Sequence, residues 1–201
     1  ILARFGGVIA VLVDRAYPAD VCGGVNFHGV LLCLPALSLL AVFQHAAAQL
    51  AAGAFDVRAH FAAHGGGDML GLQRLLALHG ISSTLCYDGR IDKLSASKML
   101  EAFQIEMCPY EQLRPNMTEE DYVICVDAQK HSGNITDFVG NEVACIDHHP
   151  TFVPMEYHYK DIRLAGACAT LIAQYYQQLS CKPEKDTATA LLYGLKMDTL
   201  Q

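Results

Sequence analysis

The pattern of apolar and polar residues becomes regular from residue 68 onward. Apolar residues recur at helical spacing in the stretch that begins at Met69, and Gly80 follows as a stop signal. Short apolar runs alternate with helical segments, which predicts an α/β fold with a parallel β-sheet flanked by helices. Ser95 or Ser97 is expected to cap the second helix. The predicted elements are a helix at 69–78, a strand and turn at 81–89, a helix at 94–106, strands at 121–129 and 141–150, and helices at 166–179 and 186–199.

Residues 1–67 differ from the rest of the chain. They are rich in Ala, Val, Leu and Gly, carry few charges and show no clear helical or strand period. The longest apolar run, 29–43, contains Pro35 and is shorter than the roughly 20 residues that a membrane span needs. We therefore interpret 1–67 as an atypical apolar segment that is buried or poorly ordered, with a membrane anchor as the alternative. Residues 68–201 form the regular domain.

Charge and cysteine usage restrict the class of protein. The formal net charge is -7 and there are only 14 basic residues. This balance argues against binding long duplex nucleic acid, which needs many Lys and Arg contacts to phosphate. None of the eight cysteines stands in a C-x-x-C pair, so a zinc ribbon or thioredoxin motif is not expected. Free thiols in apolar runs favour a reduced, cytoplasmic protein.

Two predicted strands end in acidic residues. The run 123–126 leads into Asp127, and the run 143–146 leads into Asp147, His148 and His149. The carboxyl ends of strands in an open parallel sheet face one crevice, where ligands bind. Carboxylates beside imidazoles suit Mn, Fe or Zn. The alternative interpretation is that Asp127 caps a following helix and that the histidines line a turn.

Four segments of the chain resemble motifs of the DHH family of phosphoesterases, in the order and at the intervals found there. The resemblance covers roughly residues 68–201. It implies a DHH phosphoesterase domain, truncated before the C-terminal substrate domain that is often of the DHHA1 type. The matching segments are ICVDAQ at 124–129, CIDHHPTF at 145–152, GACATLIAQYY at 166–176 and ALLYGLKMDT at 190–199.

The family pattern implies a role for each matched acid and histidine. Asp127 would bridge two Mn²⁺ ions, and His148 and Asp198 would complete the site of the second ion. Asp147 would orient His148 through a ring N–H. His149 would contact the scissile phosphate and act as a proton donor, which makes His149 and Asp147 the candidate catalytic residues.

The small-residue segment at 166–170 has two interpretations. Gly166, Ala167 and Thr170 would let the N-terminus of a helix approach an anionic substrate, which makes Gly166 and Thr170 candidate substrate-binding residues together with His149. The other interpretation is close packing of that helix against the sheet.

The chain departs from the family in its first motif, H-x-x-x-D-x-D, which supplies three metal ligands. A gapped match places His60 at the family's His and His64 at its first Asp, and Asp68 is the nearest remaining acid. We keep His60, His64 and Asp68 as candidate ligands of the first ion. An ungapped match from the helix places Arg58 and Ala62 at ligand positions instead, so this site is expected to be altered.

The resemblance implies a metal-dependent hydrolase of phosphoric ester bonds. The expected cofactor is Mn²⁺, two ions in the family, with Mg²⁺, Fe²⁺ or Zn²⁺ as alternatives. Short oligonucleotides, nucleotides or other small phosphorylated compounds are the expected substrates, as in the nanoRNase, oligoribonuclease and exonuclease members of the family. A homodimer is left open. The alternatives are a catalytically impaired nucleotide-binding remnant and a membrane-anchored cyclic-dinucleotide phosphodiesterase, and this chain is expected to hydrolyse its substrate slowly or not at all.

Overall fold

A six-stranded parallel β-sheet forms the centre of the structure, a computed structural model that describes residues 59–62, 66–88, 91, 94–133, 135 and 137–199. All pairs of neighbouring strands are parallel. The strands are β1 (Ala59–Ala62), β2 (Ser83–Tyr87), β3 (Cys108–Pro109), β4 (Tyr122–Val126), β5 (Asn141–Asp147) and β6 (Tyr159–Ile162).

The strand order is β3-β2-β1-β4-β5-β6. The chain therefore moves outward from β1 to β3, returns to pair β4 with β1, and then moves outward in the opposite direction. In open parallel sheets this reversal creates a crevice outside the carboxyl ends of the strands, where ligands bind. A ligand site is therefore expected at the carboxyl ends of β1 and β4.

Helices lie against both faces of the sheet, four against one face and, among the described residues, one short helix against the other. They are α1 (Gly66–Leu78), α2 (Leu94–Ala102), the short α3 (Tyr110–Leu113), α4 (Cys168–Gln178) and α5 (Lys185–Thr199), with a 3₁₀ turn at Arg114–Asn116. Helices α1, α4 and α5 contact one another. They bury the main hydrophobic core against Leu85 and Ile124 of the sheet, while Cys86, Val123 and Tyr110 belong to a second cluster on the other face. This alternation follows from the two-residue period of a strand.

The predicted α/β class with a parallel sheet and flanking helices is confirmed, and the strands and helices predicted between residues 69 and 199 are present. Strands β1, β3 and β6 are additional. Strand β1 lies within the segment 1–67, so the sheet extends into the stretch that composition sets apart. The predicted N-caps are wrong, because Ser95 and Ser97 both lie inside α2.

Helix α1 begins three residues earlier than its predicted start, at Gly66. A run of glycines opposes helix formation by about 1 kcal/mol per residue relative to alanine, which is why the sequence predicts a loop there. Tertiary packing reverses this preference. A Cβ atom on Gly67 would overlap the backbone carbonyl group of Ala190, so glycine is what allows α1 and α5 to pack closely.

Among the helices that the structure describes, none is long and apolar enough to cross a lipid bilayer. The run 29–43, for which a membrane anchor is the alternative interpretation, lies outside the described residues.

Candidate metal centre

Asp127 occupies the reversal point of the sheet. It follows β4 directly and has a left-handed backbone conformation, with φ at 58°. Asp tolerates this conformation better than most residues, and such residues cluster at functional sites. The described residues between β4 and β5 form no helix, so the alternative in which Asp127 caps a following helix is wrong. Its carboxylate is instead turned toward His148 at the end of the neighbouring strand.

The ring of His148 is oriented for metal coordination. Its Nδ1 lies 3.0 Å from the carbonyl oxygen of Ala165, which can only accept a hydrogen bond, so Nδ1 carries a proton. In a neutral ring the lone pair is then on Nε2, which is 3.1 Å from Asp127 Oδ1 and 4.0 Å from Asp198 Oδ2. The short contact is not aligned as a hydrogen bond, and Asp127 Oδ1 is buried without a hydrogen-bond partner among the described residues. A cation between these atoms would satisfy all of them.

Asp147 anchors His149 rather than the ring of His148. Its Oδ1 accepts hydrogen bonds from the backbone N–H groups of His148 and His149, and the ring Nδ1 of His149 is 2.8 Å away. Its Oδ2 accepts a hydrogen bond of 2.6 Å from Gln129. The prediction that Asp147 orients the ring of His148 is therefore wrong, because the carbonyl group of Ala165 holds that ring.

These hydrogen bonds also determine the protonation of His149. Partial burial alone would lower the pKa of this imidazole, but the hydrogen bond and charge of Asp147 outweigh it and raise the pKa of His149. The ring is half exposed, at 50%. With Nδ1 tied to Asp147, Nε2 is the atom available to a ligand, and its protonated form is favoured.

Asp68 reaches the same cluster from the first turn of α1. It is 2% exposed, and its carboxylate accepts a hydrogen bond from its own backbone but has no positively charged partner among the described residues. Its Oδ1 lies 2.8 Å from the place where a Cβ atom on Gly194 would stand, so the absence of a side chain there makes room for this carboxylate. A buried carboxylate without a cationic partner is costly.

Asp198 lies in the last turn of α5, at 35% exposure. The sequence predicts that Asp198 follows a helix. The structure corrects this, because Asp198 lies inside α5. A cavity of about 110 Å³ separates α5 from α1 and α2. Its lining includes Asp68, Asp127 and Asp198 together with Ser95 and Tyr193.

The three carboxylates repel one another. Burial, together with the charges of Asp127 and Asp198, raises the pKa of Asp68 well above its usual value. Burial also raises the pKa of Asp127, to about 6, with Asp198 contributing in the same direction. Asp68 and Asp127 therefore hold protons more tightly than isolated carboxyl groups do, and a bound cation would stabilise their charged forms.

Two sets of donor atoms meet at Asp127. In the first set Asp127 is joined by His148 and His149, and in the second by Asp68 and Cys168. Within each set the donor atoms lie within 4.8 Å of one another. Oxygen and nitrogen donors of these types bind divalent metals, and the orphaned Asp127 Oδ1 fits such an ion. One carboxylate shared by two donor sets could serve two ions side by side.

The other predicted site residues have different outcomes. His60 lies in β1 beside Val123, but its side chain is not described, and His64 lies outside the described residues. Gly166 precedes α4, and a Cβ atom there would stand 2.9 Å from the Thr199 side chain, so the close packing at Gly166 is against α5 and not against the sheet. Thr170 is half-buried in the first turn of α4.

Sequence reasoning missed two residues of the cluster. Gln129, which holds Asp147, stands two positions after Asp127 in a segment already matched to the family. Cys168 sits among small residues at the start of α4, where the sequence suggests helix packing or the approach of a substrate but no metal ligand. Both residues lie inside segments matched to the family, so their polar or sulfur-containing side chains could have marked them as site residues.

The fold and the site define a class: an α/β protein with a parallel sheet and a candidate metal centre at its carboxyl edge. No family model matches the chain. Over 132 residues it is 29% identical to the uncharacterized protein MJ1633 of Methanocaldococcus jannaschii, an alignment that covers 65% of this chain and 27% of that protein. The chain thus spans about a quarter of the length of this relative.

Proposed function

We propose that the chain is a divalent-metal-dependent phosphoesterase of the DHH type. It hydrolyses a phosphodiester or phosphate bond in a short oligonucleotide or a nucleotide. The observation that carries the proposal is the pair of donor sets sharing Asp127 beside the cavity at the reversal point of the sheet. The resemblance to DHH phosphoesterases supports it, because the matched acids and histidines are the residues that cluster.

Each side chain of the cluster has a role in holding two ions. Asp127 is the shared ligand, His148 and Asp198 serve the second ion, and Asp68 serves the first. Mn²⁺ is the metal that the resemblance favours. When bound, a pair of divalent ions acidifies a water molecule into a nucleophile near neutral pH and neutralises charge on the phosphoryl oxygens.

His149 moves the proton in this scheme. Its Nδ1 is fixed by Asp147 and its side chain is half exposed, which leaves Nε2 to donate a proton to the leaving oxygen. Because the pKa of His149 is raised, the acid form needed for this step is present at a higher fraction near neutral pH than for an ordinary histidine.

The size of the cavity restricts how the substrate binds. Pockets that enclose a whole drug-sized ligand have volumes of about 300–1,000 Å³, and this cavity has about 110 Å³. We therefore place only the scissile phosphate group near the carboxylates, with the remainder of the substrate on the open side by His149. The N-terminus of α4, beside Gly166, is the nearby source of backbone N–H groups for a second phosphate. The backbone N–H of Thr170 is already donated to the carbonyl oxygen of Ala167, so Thr170 would contribute only its side chain.

The experiment is a hydrolysis assay combined with metal analysis. The purified chain is stripped with EDTA, reloaded with Mn²⁺, and incubated with a linear dinucleotide, a nucleoside 3′,5′-bisphosphate and bis(p-nitrophenyl) phosphate. We expect Asp127→Asn to lose both bound metal and hydrolysis. His149→Gln should retain the metal and lose hydrolysis by about 10²-fold or more. His158→Gln, a change at an exposed histidine that precedes β6, is the matched control and should retain both.

Four results would count against these assignments. Failure of the wild-type chain to bind Mn²⁺ would overturn the proposal, as would hydrolysis that survives Asp127→Asn. Loss of metal in His149→Gln would make His149 a ligand instead of a proton donor. Tight metal binding without turnover of any substrate would support the catalytically impaired, nucleotide-binding alternative.

A further inference from the structure

We propose that Cys168 is a metal ligand and that the first ion, held by Asp68, Asp127 and Cys168, is a thiophilic one such as Zn²⁺ or Fe²⁺. This inference rests on the proposed two-ion site. It assigns to the site a sulfur donor that neither the DHH triplet nor the expected Mn²⁺ chemistry includes. The three donor atoms lie within 4.8 Å of one another, and Asp127 is the residue shared with the histidine set.

The spacing of the donors suits a single ion. Zinc–sulfur bonds are about 2.3 Å and zinc–oxygen bonds about 2.0–2.2 Å long, so two donors of one ion stand no more than about 4.5 Å apart. In a tetrahedral site such donors stand about 3.6 Å apart, so separations within 4.8 Å require side-chain adjustments of no more than about 1.2 Å. Cys168 begins α4, whose position is fixed by core packing, so its sulfur atom enters the cluster from a rigid element.

Two further observations point to a ligand at this place. Asp68 is 2% exposed and faces the charges of Asp127 and Asp198; among the described residues only a hydrogen bond from its own backbone favours its charged form, and no positively charged side chain does. Asp127 Oδ1 is buried without a hydrogen-bond partner in the described part of the chain. These two carboxylates and the Cys168 sulfur come from α1, from the end of β4 and from α4, and an ion between them would satisfy all three.

The chemistry of the donors decides the metal. An all-oxygen site prefers hard ions such as Mn²⁺ and Mg²⁺, whereas a thiolate favours zinc and other borderline or soft ions. The Cys168 thiol now contacts the carbonyl oxygen of Ile146 at 3.5 Å. Metal binding would replace that weak hydrogen bond by a metal–sulfur bond and release the thiol proton to the solvent.

The test uses Co²⁺, which reports a sulfur ligand by its absorption spectrum. Bound to the EDTA-stripped chain, Co²⁺ should give visible ligand-field bands together with a near-ultraviolet thiolate-to-cobalt charge-transfer band. Cys168→Ala and Cys168→Ser should lose the charge-transfer band. Cys145→Ala is the matched control, because Cys145 is also fully buried and donates to a backbone oxygen, that of Ala128 at 3.4 Å. It should keep the band.

A competition between Zn²⁺ and Mn²⁺ provides a second measurement. Wild-type chain should prefer Zn²⁺, and Cys168→Ser should reduce this preference by at least about tenfold, since losing even an outer partner of a ligand costs about 10–100-fold in affinity. Circular dichroism and urea unfolding of the two Cys168 variants establish that they are folded.

The outcomes separate this inference from the proposed function. Cobalt ligand-field bands without a charge-transfer band would overturn the sulfur ligand and leave the two-ion phosphoesterase standing. A charge-transfer band that survives in both folded Cys168 variants would overturn it equally. Absence of any bound Co²⁺, Zn²⁺ or Mn²⁺ would overturn both proposals.

Discussion

Raising the pH should destabilise the metal-free chain, and a single substitution at Asp127 should remove much of this effect. The carboxyl group of Asp127 has a pKa of about 6 in the folded protein, against 3.8 for an unperturbed Asp. The folded state therefore binds more protons than the unfolded state between these values. Stability that is fully present below pH 3.8 is lost as the pH rises to about 6.

The size of the effect follows from the shift. A difference of about 2 pKa units corresponds to about 3 kcal/mol of unfolding free energy, which is the largest loss that the titration of Asp127 would cause. Asp68 and His149 act in the same direction, because their folded-state pKa values are also raised. For His149 the loss begins at its unfolded value of 6.5 and extends to higher pH. The metal-free protein should accordingly weaken from about pH 4 to beyond pH 7.

The measurement is urea unfolding in EDTA from about pH 4.5 to about pH 8, for the wild type and for Asp127→Asn. Asn is nearly isosteric with Asp and tolerates the left-handed backbone at this position. The variant should have a flatter pH profile and be more stable than the wild type at neutral pH. Saturating Mn²⁺ should reverse the order, since a ligand at 100 times its Kd adds about 2.7 kcal/mol to the wild type.

Other carboxyl groups also titrate in this range, so the decisive quantity is the difference between the two proteins at each pH. A difference that does not change with pH would refute the burial of a proton-binding carboxylate at Asp127. A variant less stable than the metal-free wild type at neutral pH would mean that the Asp127 carboxylate makes stabilising contacts, contrary to its orphaned Oδ1.

Two further substitutions test packing around the site. Gly67→Ala should lower the unfolding free energy by about 2 kcal/mol in urea unfolding, because its Cβ atom would meet the rigid backbone of Ala190; an unchanged midpoint would contradict the close approach of α1 and α5. Tyr175→Phe should cost about 2 kcal/mol by the same assay, because the hydroxyl group donates a 2.6 Å hydrogen bond to the buried Asp161. A loss below about 0.5 kcal/mol would show that this bond is not maintained.

The close approach of Asp127 and His148 was predictable from the sequence because it depends only on where two adjacent parallel strands end. Both residues follow apolar runs, and adjacent parallel strands present their carboxyl ends at one edge. Their distance of 3.1 Å confirms that prediction, which a separation above about 10 Å would have refuted. No knowledge of helix packing was needed.

The strand pattern alone could not place Asp68, Asp198 or Cys168, because their positions depend on packing between helices; the matched motifs gave Asp198 as a ligand and left Asp68 as a candidate, and Cys168 was missed. Asp68 reaches the cluster only because α1 starts at Gly66, against local propensity, and because Gly194 leaves room on α5. Cys168 reaches it only because α4 packs against both helices. The partner of Asp147 was misassigned for a related reason: ring orientation is set by a carbonyl group, that of Ala165, supplied by a distant loop.

The energetics of this cluster support binding over a purely structural role. In a structural ion pair the two opposite charges neutralise each other, as those of Arg163 and Asp161 do at 2.6 Å. Around the cavity, by contrast, three carboxylates converge while the nearby imidazoles are partly engaged elsewhere, one by a backbone carbonyl group and the other by Asp147. Such a grouping costs stability in the metal-free protein and is stabilised most directly by divalent cations. The same cost makes the site testable without a substrate, because any ion that truly occupies it must raise the unfolding free energy of the wild type more than that of Asp127→Asn.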